Sequence, residues 1–402
     1  MIHKNNLDMA TKVQLTVLLI IPFIQCCNHN KSSNIPARYY HKDASYRLNI
    51  ECTADTLRFP LGEDIFNTIE SFNIFSQNDK RYISFYEGTS ETINIYHFDS
   101  GRLTKQIHIK STIPEKKFSK TSVFTKTMDS IFIVNNNNIY IIDTSCNIKH
   151  SFTLQELDAH AMILFENSLL PAFQGSKIIT GRHARSLGAY LGTLQMWKMI
   201  YSFDLKTGKM EEFYSLPDTY LNNLFGYNFL DYSFCYNDKK RFVLSFPADT
   251  NIYETDLKKY HVAFYGQSRY QTSPIPPVPK KELLTNMEVR LKSYLVRDSY
   301  GEIYFDPIKK RYLRVAKSGL TESEYSEKIR SKKQRLIILD EYLTIIGESA
   351  IDQNVSLSSI VITMNGEIYA RVNRQDEYAV NFVRLEYSEE SVRNTTHLTK
   401  KY

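Results

Sequence analysis

A charged turn that leads into an aromatic-rich strand recurs along the chain. Six segments carry this pattern of polar and apolar positions. They are Asn78–Phe85, Ser130–Ile133, Ser176–Ile179, Asn237–Phe246, Asp306–Val315 and Glu367–Ala370. Self-similarity at intervals of a few tens of residues is typical of repeat architectures, so these segments predict six copies of one structural unit.

A second short apolar strand follows each copy and ends in an acid. These acids are Asp99, Asp143, Asp204, Asp256, Asp340 and Glu386. An aspartate at the end of a strand can accept backbone N–H groups a few residues on and close a hairpin turn. Gly101 and Gly208 supply permissive backbone in two of the turns. We therefore interpret the aspartates as turn residues and not as catalytic acids.

The spacing of the acids predicts the fold. Successive acids are 44, 61, 52, 84 and 46 residues apart. Blades of about 40–50 residues explain the short spacings, and loop insertions explain the long ones. We predict an all-β chain with a six-bladed β-propeller of four-stranded blades over residues 51–390, in which Thr56–Pro60 completes the last blade. A large β-sandwich, or two sandwiches, is the alternative.

The first residues have the features of an export signal. Lys4 and Lys12 precede an apolar run over residues 13–24, which is shorter than the roughly 20 residues of a membrane-spanning helix. Cys27 follows and resembles the lipid-bearing cysteine of a bacterial lipobox, with Cys26 as the alternative. A plain secretory signal with incidental cysteines, or a short buried strand, are the simpler interpretations.

The predicted signal peptide and the repeat pattern together divide the chain into four segments. The segments are a lipoprotein signal peptide (1–26), a lipidated tether (27–50), the propeller (51–390) and a polar tail (391–402). Several acyl chains hold a protein stably on a membrane. We expect a lipid-anchored protein of the cell envelope whose contact with the membrane is the N-terminal lipid.

Composition narrows the function classes. The chain has 28 Tyr and 23 Phe, which favours sheet, and 50 basic against 44 acidic residues, a mixed surface that argues against a nucleic-acid partner. Cys52, Cys146 and Cys235 are scattered and predict no disulfide framework. No metal site or cofactor is expected, because the sequence has no HExxH, GxGxxG or P-loop motif.

No catalytic residue can be assigned, because the sequence also lacks a GxSxG motif. We favour a binding or scaffolding module for a carbohydrate, an anionic ligand or an envelope protein. The alternative is a glycan-acting hydrolase or lyase. Such an enzyme needs two suitably placed carboxylates, and the sequence has too many acids to identify a pair.

Long insertions indicate where a ligand would bind. Residues 181–198, 266–290 and 318–333 are predicted to meet at one rim of the propeller. The candidate ligand-binding residues of the first insertion are Arg182, His183, Arg185, Tyr190 and Trp197. Arginine and aromatic side chains suit an anionic or sugar-like ligand. The alternative is that these loops only cover strand edges, with Trp197 packed as a plug.

The signal, the tether and the sixfold pattern together resemble the Bacteroidetes lipoproteins of the domain of unknown function 4221 family and, more broadly, TolB-like six-bladed propellers. The likeness is clearest at Tyr304–Asp306, Tyr312–Arg314 and Ile338–Glu348, and it would cover nearly all of residues 50–390. The resemblance implies a propeller fold and an envelope location. It implies no activity and no catalytic residues.

Overall fold

Short strands make up most of the computed structural model, and consecutive strands pair antiparallel. The structure describes residues 36–62, 65–113, 121–135, 138–154, 161–184, 191–284, 286–373 and 376–389. The elements below all lie in the compact unit Asn34–Tyr402. Most strands belong to antiparallel meanders, which we number 1 to 6 in chain order.

Two strands precede the meanders, β1 (Arg38–Tyr40) and β2 (Leu48–Pro60). Meander 1 comprises β3 (Ile69–Gln77), β4 (Lys80–Glu87), β5 (Thr92–His97) and β6 (Leu103–His108). Meander 2 comprises β7 (Thr121–Thr127), β8 (Ser130–Asn135), β9 (Asn138–Ile142) and β10 (Ile148–Thr153). Meander 3 comprises β11 (Ala161–Ile163), β12 (Ala172–Gln174), β13 (Lys177–Ala184), β14 (Lys198–Asp204) and β15 (Met210–Ser215).

Meander 4 comprises β16 (Ser233–Tyr236), β17 (Phe242–Ser245), β18 (Asn251–Thr255) and β19 (His261–Tyr265). Meander 5 comprises β20 (Ser299–Asp306), β21 (Arg311–Ser318), β22 (Lys333–Leu339) and β23 (Ile345–Ile351). Meander 6 comprises β24 (Val355–Ile362), β25 (Ile368–Val372) and β26 (Ala379–Glu389).

The sheets pack face to face, which explains why their strands read as apolar runs without alternation. In β9, Ile139 and Ile141 belong to one buried cluster, while Tyr140 and Ile142 belong to another. Successive side chains of a strand point to opposite faces, so this strand is buried on both sides.

The early strand β2 joins the last meander. Residues Thr56–Pro60 pair antiparallel with Ala379–Val383 of β26, as the sequence predicted. The other end of β2 meets β23, where Leu48 pairs parallel with Gly347. Meanders 5 and 6 therefore share one eight-stranded sheet. A largely exposed strand near the start of the chain is thus held by residues more than 300 positions away.

The residues proposed as turn-formers have that role at four of the acids. The side chains of Asp143, Asp204, Asp256 and Asp340 each accept two or more backbone N–H groups of the following residues. Asp99 differs, because its carboxylate pairs with Arg81. Gly101 has a φ of 64°, which favours glycine at this turn.

The repeated aromatic residues occupy equivalent strands, as predicted. Tyr82, Phe132, Phe242, Tyr312 and Tyr369 lie in the second strands β4, β8, β17, β21 and β25. Ile178, which takes this place in meander 3, lies in β13 after two short strands that both pair with β13.

The helices of the described residues lie in the insertions and in two connections between meanders. They are α1 (Leu191–Met196), α2 (Asp218–Leu221), a 3-10 helix (Tyr227–Phe229), α3 (Lys280–Leu283), α4 (Met287–Leu295) and α5 (Glu322–Ser326). Helix α1 contacts α2. Arg297 donates to the carbonyls of Pro276 and Phe225 at 2.9 and 2.7 Å. Lys332 donates to the carbonyl of Arg297 at 2.7 Å, so Arg297 links the second and third insertions through Pro276 and Lys332.

The described part of the predicted tether is packed along the sheets. Strand β1 adds to the edge of meander 4, parallel to β19. The backbone N–H groups of Ser45 and Arg47 then donate to the carbonyls of Ile345 and Ile346, each at 2.9 Å. These backbone bonds account for strand structure in a polar segment that has no local strand pattern.

Candidate functional site

Arg182 and Trp197, two of the predicted ligand contacts, pack against each other inside the protein. Each is only 4% exposed. The guanidinium carbon of Arg182 lies 3.7 Å from the centroid of the Trp197 ring and 5.1 Å from that of Tyr201. Arg182 Nη1 also lies 3.5 Å from Glu212 Oε1. The positive charge of Arg182, which suggested an anion-binding site, thus lies against aromatic faces and a carboxylate.

His183, the next candidate, is also buried. Its Nε2 lies 3.9 Å from Glu166 Oε2, and its ring lies 6.5 Å from that of Tyr232. The Tyr232 hydroxyl accepts the backbone N–H of Arg182 and donates to the carbonyl of Met199. These contacts fasten β13 to β14 at the base of the first insertion.

The structure brings Arg182, His183 and Trp197 to one region but turns none of them to solvent. The other candidates, Arg185, Tyr190, the lipidation residue Cys27 and its alternative Cys26, lie outside the described residues. Trp197 belongs to the largest buried cluster of meanders 3 and 4, which is the plug role that the sequence left open.

A different site lies where the first strands of five meanders converge. This first-strand pocket encloses about 370 Å³. Its walls include Ile74 of β3, Phe173 of β12, Tyr236 of β16, Phe305 of β20 and Ile362 of β24. Each of these residues sits at or near the end of its strand and is partly exposed.

The deeper wall of the pocket is formed by residues that precede those at the mouth. Ala172, Phe234, Ile303 and Ile360 are buried and line it. Exposure therefore rises toward the strand ends, and the pocket opens beside the turns between first and second strands. The insertions between second and third strands leave the opposite edge of the antiparallel meanders.

Polar groups lie in and beside the wall of the pocket. Gln174 Nε2 donates to the Tyr236 hydroxyl at 2.8 Å. Lys126 Nζ lies 4.1 Å from the centroid of the Phe173 ring, a cation–π contact. Asn167 Nδ2 donates to the carbonyl of Ile360 at 2.6 Å. The pocket thus combines apolar side chains with amides in and beside its wall and a neighbouring ammonium group.

The lining of the pocket has few ionisable side chains. None of the residues that line it in the described part of the chain is an aspartate, a glutamate or a histidine. Burial raises the pKa of the Cys235 thiol in its wall, so this thiol is a poor nucleophile. Across the described ranges, no three His, Cys, Asp or Glu side chains are placed to share a metal ion.

The sequence contained a signal for this pocket that the repeat pattern obscured. An aromatic residue stands directly before a polar turn in three meanders, as Phe173-Gln174, Tyr236-Asn237 and Phe305-Asp306. Tyr236 is the last residue of β16, and Phe173 and Phe305 are the penultimate residues of β12 and β20. The repeat pattern is defined by charged turns and second strands, so it assigns no role to these three aromatic residues.

A family model matches most of the chain, over residues 47–350, and its description is "domain of unknown function (DUF4221)". The chain belongs to the DUF4221 family. The resemblance drawn from the sequence is thereby confirmed for the family. No curated protein sequence matches the chain.

Solved structures agree with this family assignment. A DUF4221 member from Bacteroides vulgatus is 20% identical, with a TM-score of 0.71 over 86% of this chain and 100% of that chain. A Bacteroides fragilis protein described as exported is 10% identical, with a TM-score of 0.52 over 88% of this chain and 99% of that chain. The DUF4221 chain has an all-β, propeller-like fold. None of its described helices has the length and apolar character needed to span a membrane.

Proposed function

We propose that the chain is a lipid-anchored binding module of the cell envelope, folded as a six-bladed propeller, and that the first-strand pocket holds an apolar or aromatic ligand. The pocket is the observation that carries the proposal. It combines apolar and aromatic side chains with a small number of polar groups, which is how small-molecule sites are usually built.

Contacts between first strands support the six-bladed arrangement. Asn73 Oδ1 of β3 accepts the N–H of Thr125 in β7 at 2.9 Å. The N–H of Ile303 in β20 donates to Ser233 Oγ of β16 at 3.0 Å. The bond from Asn167 to Ile360 links meanders 3 and 6 across the pocket. First strands gathered around one pocket suit a propeller, with β2 as the fourth strand of the last blade.

The envelope location is proposed from the N-terminal pattern. Lys4, Lys12 and the apolar run before Cys27 favour export and lipid attachment. The Bacteroides fragilis protein with a similar fold is described as exported, which is consistent with this location. The expected partners are the membrane, through the lipid, and a ligand for the pocket.

Lipid attachment is tested by mass spectrometry of the mature protein. We expect an N-terminal Cys27 that carries acyl chains. An N-terminal peptide with unmodified Cys27, or cleavage elsewhere, would refute the anchor and leave the pocket proposal untouched.

The pocket walls favour binding over glycan hydrolysis. Glycosidases need two carboxylates on either side of the scissile bond, and the described lining has none. Aromatic faces such as those of Phe173 and Phe305 can stack on an aromatic ring or on the apolar face of a sugar. A carbohydrate that binds through such a face remains within the proposed ligand class.

A neutral naphthylamine dye that fluoresces in apolar surroundings tests the pocket. We expect saturable binding to the unaltered protein and loss of binding in Ile362→Trp, which places a larger ring at the partly exposed mouth of the pocket. Ile308→Trp is the matched control, because Ile308 is exposed and does not line the pocket. Equal binding by both variants, each shown to be folded by its melting transition, would overturn the proposal.

A further inference from the structure

The segment after the predicted tether lies on the outer edge of meander 4 and reaches meander 5. The Tyr40 ring stacks on Phe264 at 6.0 Å, and the His41 ring lies 4.5 Å from that of Tyr265. Lys42 Nζ then lies 5.3 Å from the centroid of the Tyr342 ring. Backbone pairing of β1 with β19 holds this path in place.

Two lysines flank the exposed ring of Tyr342. Lys239 Nζ lies 5.5 Å from its centroid and donates to the carbonyl of Glu341 at 2.9 Å. Lys42 approaches the same ring from β1. Tyr342 is 58% exposed, and the Asp340 carboxylate fixes its turn by accepting the N–H of Tyr342 at 2.9 Å. We call Lys42, Lys239 and Tyr342 the Tyr342 patch.

Neighbouring turns extend the positive charge of this patch. Exposed lysine pairs stand at Lys239-Lys240, Lys258-Lys259 and Lys309-Lys310. All three turns join first to second or third to fourth strands, so they leave the same edge of meanders 4 and 5. Acids in these regions offset part of the positive charge. Asp256, Asp306 and Asp340 accept backbone N–H groups and support the turns, and Asp43, Asp238 and Glu341 each follow or precede a patch residue.

The chain length places a membrane within reach of this edge. Arg38 follows Cys27 by eleven residues. A fully extended segment of that length spans at most about 40 Å. A lipid on Cys27 would therefore keep β1, and the turns beside it, close to the bilayer.

We propose that the Tyr342 patch docks on the anionic phospholipid surface of the membrane that holds the lipid anchor. The inference rests on the proposed lipid attachment for its location. Tyrosine suits the membrane–water interface, and each lysine near an anionic surface contributes about 1 kcal/mol. The lipid supplies stable attachment, and the patch sets which edge of the protein faces the bilayer.

Vesicle co-sedimentation of the unlipidated compact unit, residues 34–402, tests the docking. This unit contains every described strand. We expect it to bind vesicles of phosphatidylcholine mixed with phosphatidylglycerol, and to bind pure phosphatidylcholine vesicles much less. Added salt should weaken the binding, because the contact is electrostatic.

The decisive comparison is between two pairs of charge reversals. Lys42→Glu with Lys239→Glu should reduce affinity for anionic vesicles about tenfold or more. Lys281→Glu with Lys328→Glu, at exposed lysines of the insertions on the opposite edge, makes the same charge change and should retain most of the binding. Equal losses in the two double variants would show attraction by net charge only and overturn the proposal.

Absence of binding to anionic vesicles would also overturn it, as would equal binding to neutral vesicles. Because the test uses protein without a lipid, these outcomes do not depend on the N-terminal modification. Mass spectrometry of the mature protein tests the lipid separately.

Discussion

The meanders have two edges. The insertions between second and third strands leave one edge, which we call the insertion edge, and the first-strand pocket opens at the other. The two edges differ in both residue type and exposure. The insertion edge has the arginines and the tryptophan that usually anchor ligands, yet Arg182 and Trp197 are buried against each other. The other edge has apolar residues such as Phe173 and Ile362, which are partly exposed around a cavity. Residue type alone therefore does not identify a ligand contact at the insertion edge, because burial decides whether a side chain can meet a ligand.

Packing explains why the insertion edge needs charged residues. Long connections carry backbone carbonyls that the sheets cannot pair, and a buried carbonyl without a donor is costly. Arg297 and Lys332 supply donors to such carbonyls. At the first-strand pocket the donor to such a carbonyl is a neutral amide, that of Asn167, which contacts the carbonyl of Ile360. The following predictions test this division between a structural edge and a binding edge.

Arg314 should have the largest effect on stability. It is fully buried, and its guanidinium donates to the carbonyls of Asp249, Thr250 and Gly266 at 2.6–2.9 Å. Each hydrogen bond to a charged group is worth about 1.5–3 kcal/mol. We expect Arg314→Ala to lower the free energy of unfolding by about 5 kcal/mol, measured by urea denaturation. Lys309→Ala, at an exposed residue, is the control. A similarly small loss of unfolding free energy in both variants would contradict the proposed contribution of Arg314 to stability.

Trp197 comes next, because its replacement leaves a cavity in the main buried cluster. We expect Trp197→Ala to destabilise the protein by about 3–5 kcal/mol, while dye binding to the folded fraction stays unchanged. Met196→Ala, at an exposed neighbour in α1, should have almost no effect. If folded Trp197→Ala protein no longer bound the dye, the binding site would lie at the insertion edge and not at the first-strand pocket.

The pH dependence of stability provides a third test at the insertion edge. Burial, together with Lys317 and Arg297, lowers the pKa of Lys332 to about 7. From about pH 7 to about pH 10 the unfolded chain then binds more protons at this site than the folded chain, so stability rises with pH. The stability of the unaltered protein relative to Lys332→Met should increase by up to about 1.4 kcal/mol per pH unit. Urea denaturation across this range would contradict the prediction if the difference stayed constant.

Phe173 should have the smallest effect on stability and a clear effect on binding. It is partly exposed at the pocket mouth, so Phe173→Ala should cost only about 1 kcal/mol. Dye affinity should fall about tenfold, because one apolar wall is lost. Phe66→Ala removes an exposed ring that does not line the pocket, and its affinity should equal that of the unaltered protein.

Local patterns predicted much of the fold. The turn role of Asp143, the placement of Tyr82 and Phe242 in second strands, and the pairing of Thr56–Pro60 with the last strand all followed from repetition. Strand β1 could not be predicted in this way. It forms by parallel addition to β19, more than 200 residues away, and its own residues are exposed and polar or aromatic without alternation.

The pocket escaped prediction for a related reason. Its walls come from five meanders, and each contributes only a few residues. No single segment carries the site, although Phe173, Tyr236 and Phe305 share a position before a turn. The packing of Arg182 on Trp197 was equally hidden, since it depends on the pairing of β13 with β14 and not on sequence spacing.

Photolabelling with a small apolar aryl diazirine, followed by peptide mapping, compares the two edges directly. If the first-strand pocket is the binding site, the label should be found on peptides that contain Phe173, Tyr236 and Phe305. Saturating naphthylamine dye should suppress that labelling. The opposite result would be labelling of peptides that contain Arg182 and Trp197, suppressed by the dye, with no label on the pocket peptides. That result would contradict the proposal that the ligand binds in the first-strand pocket.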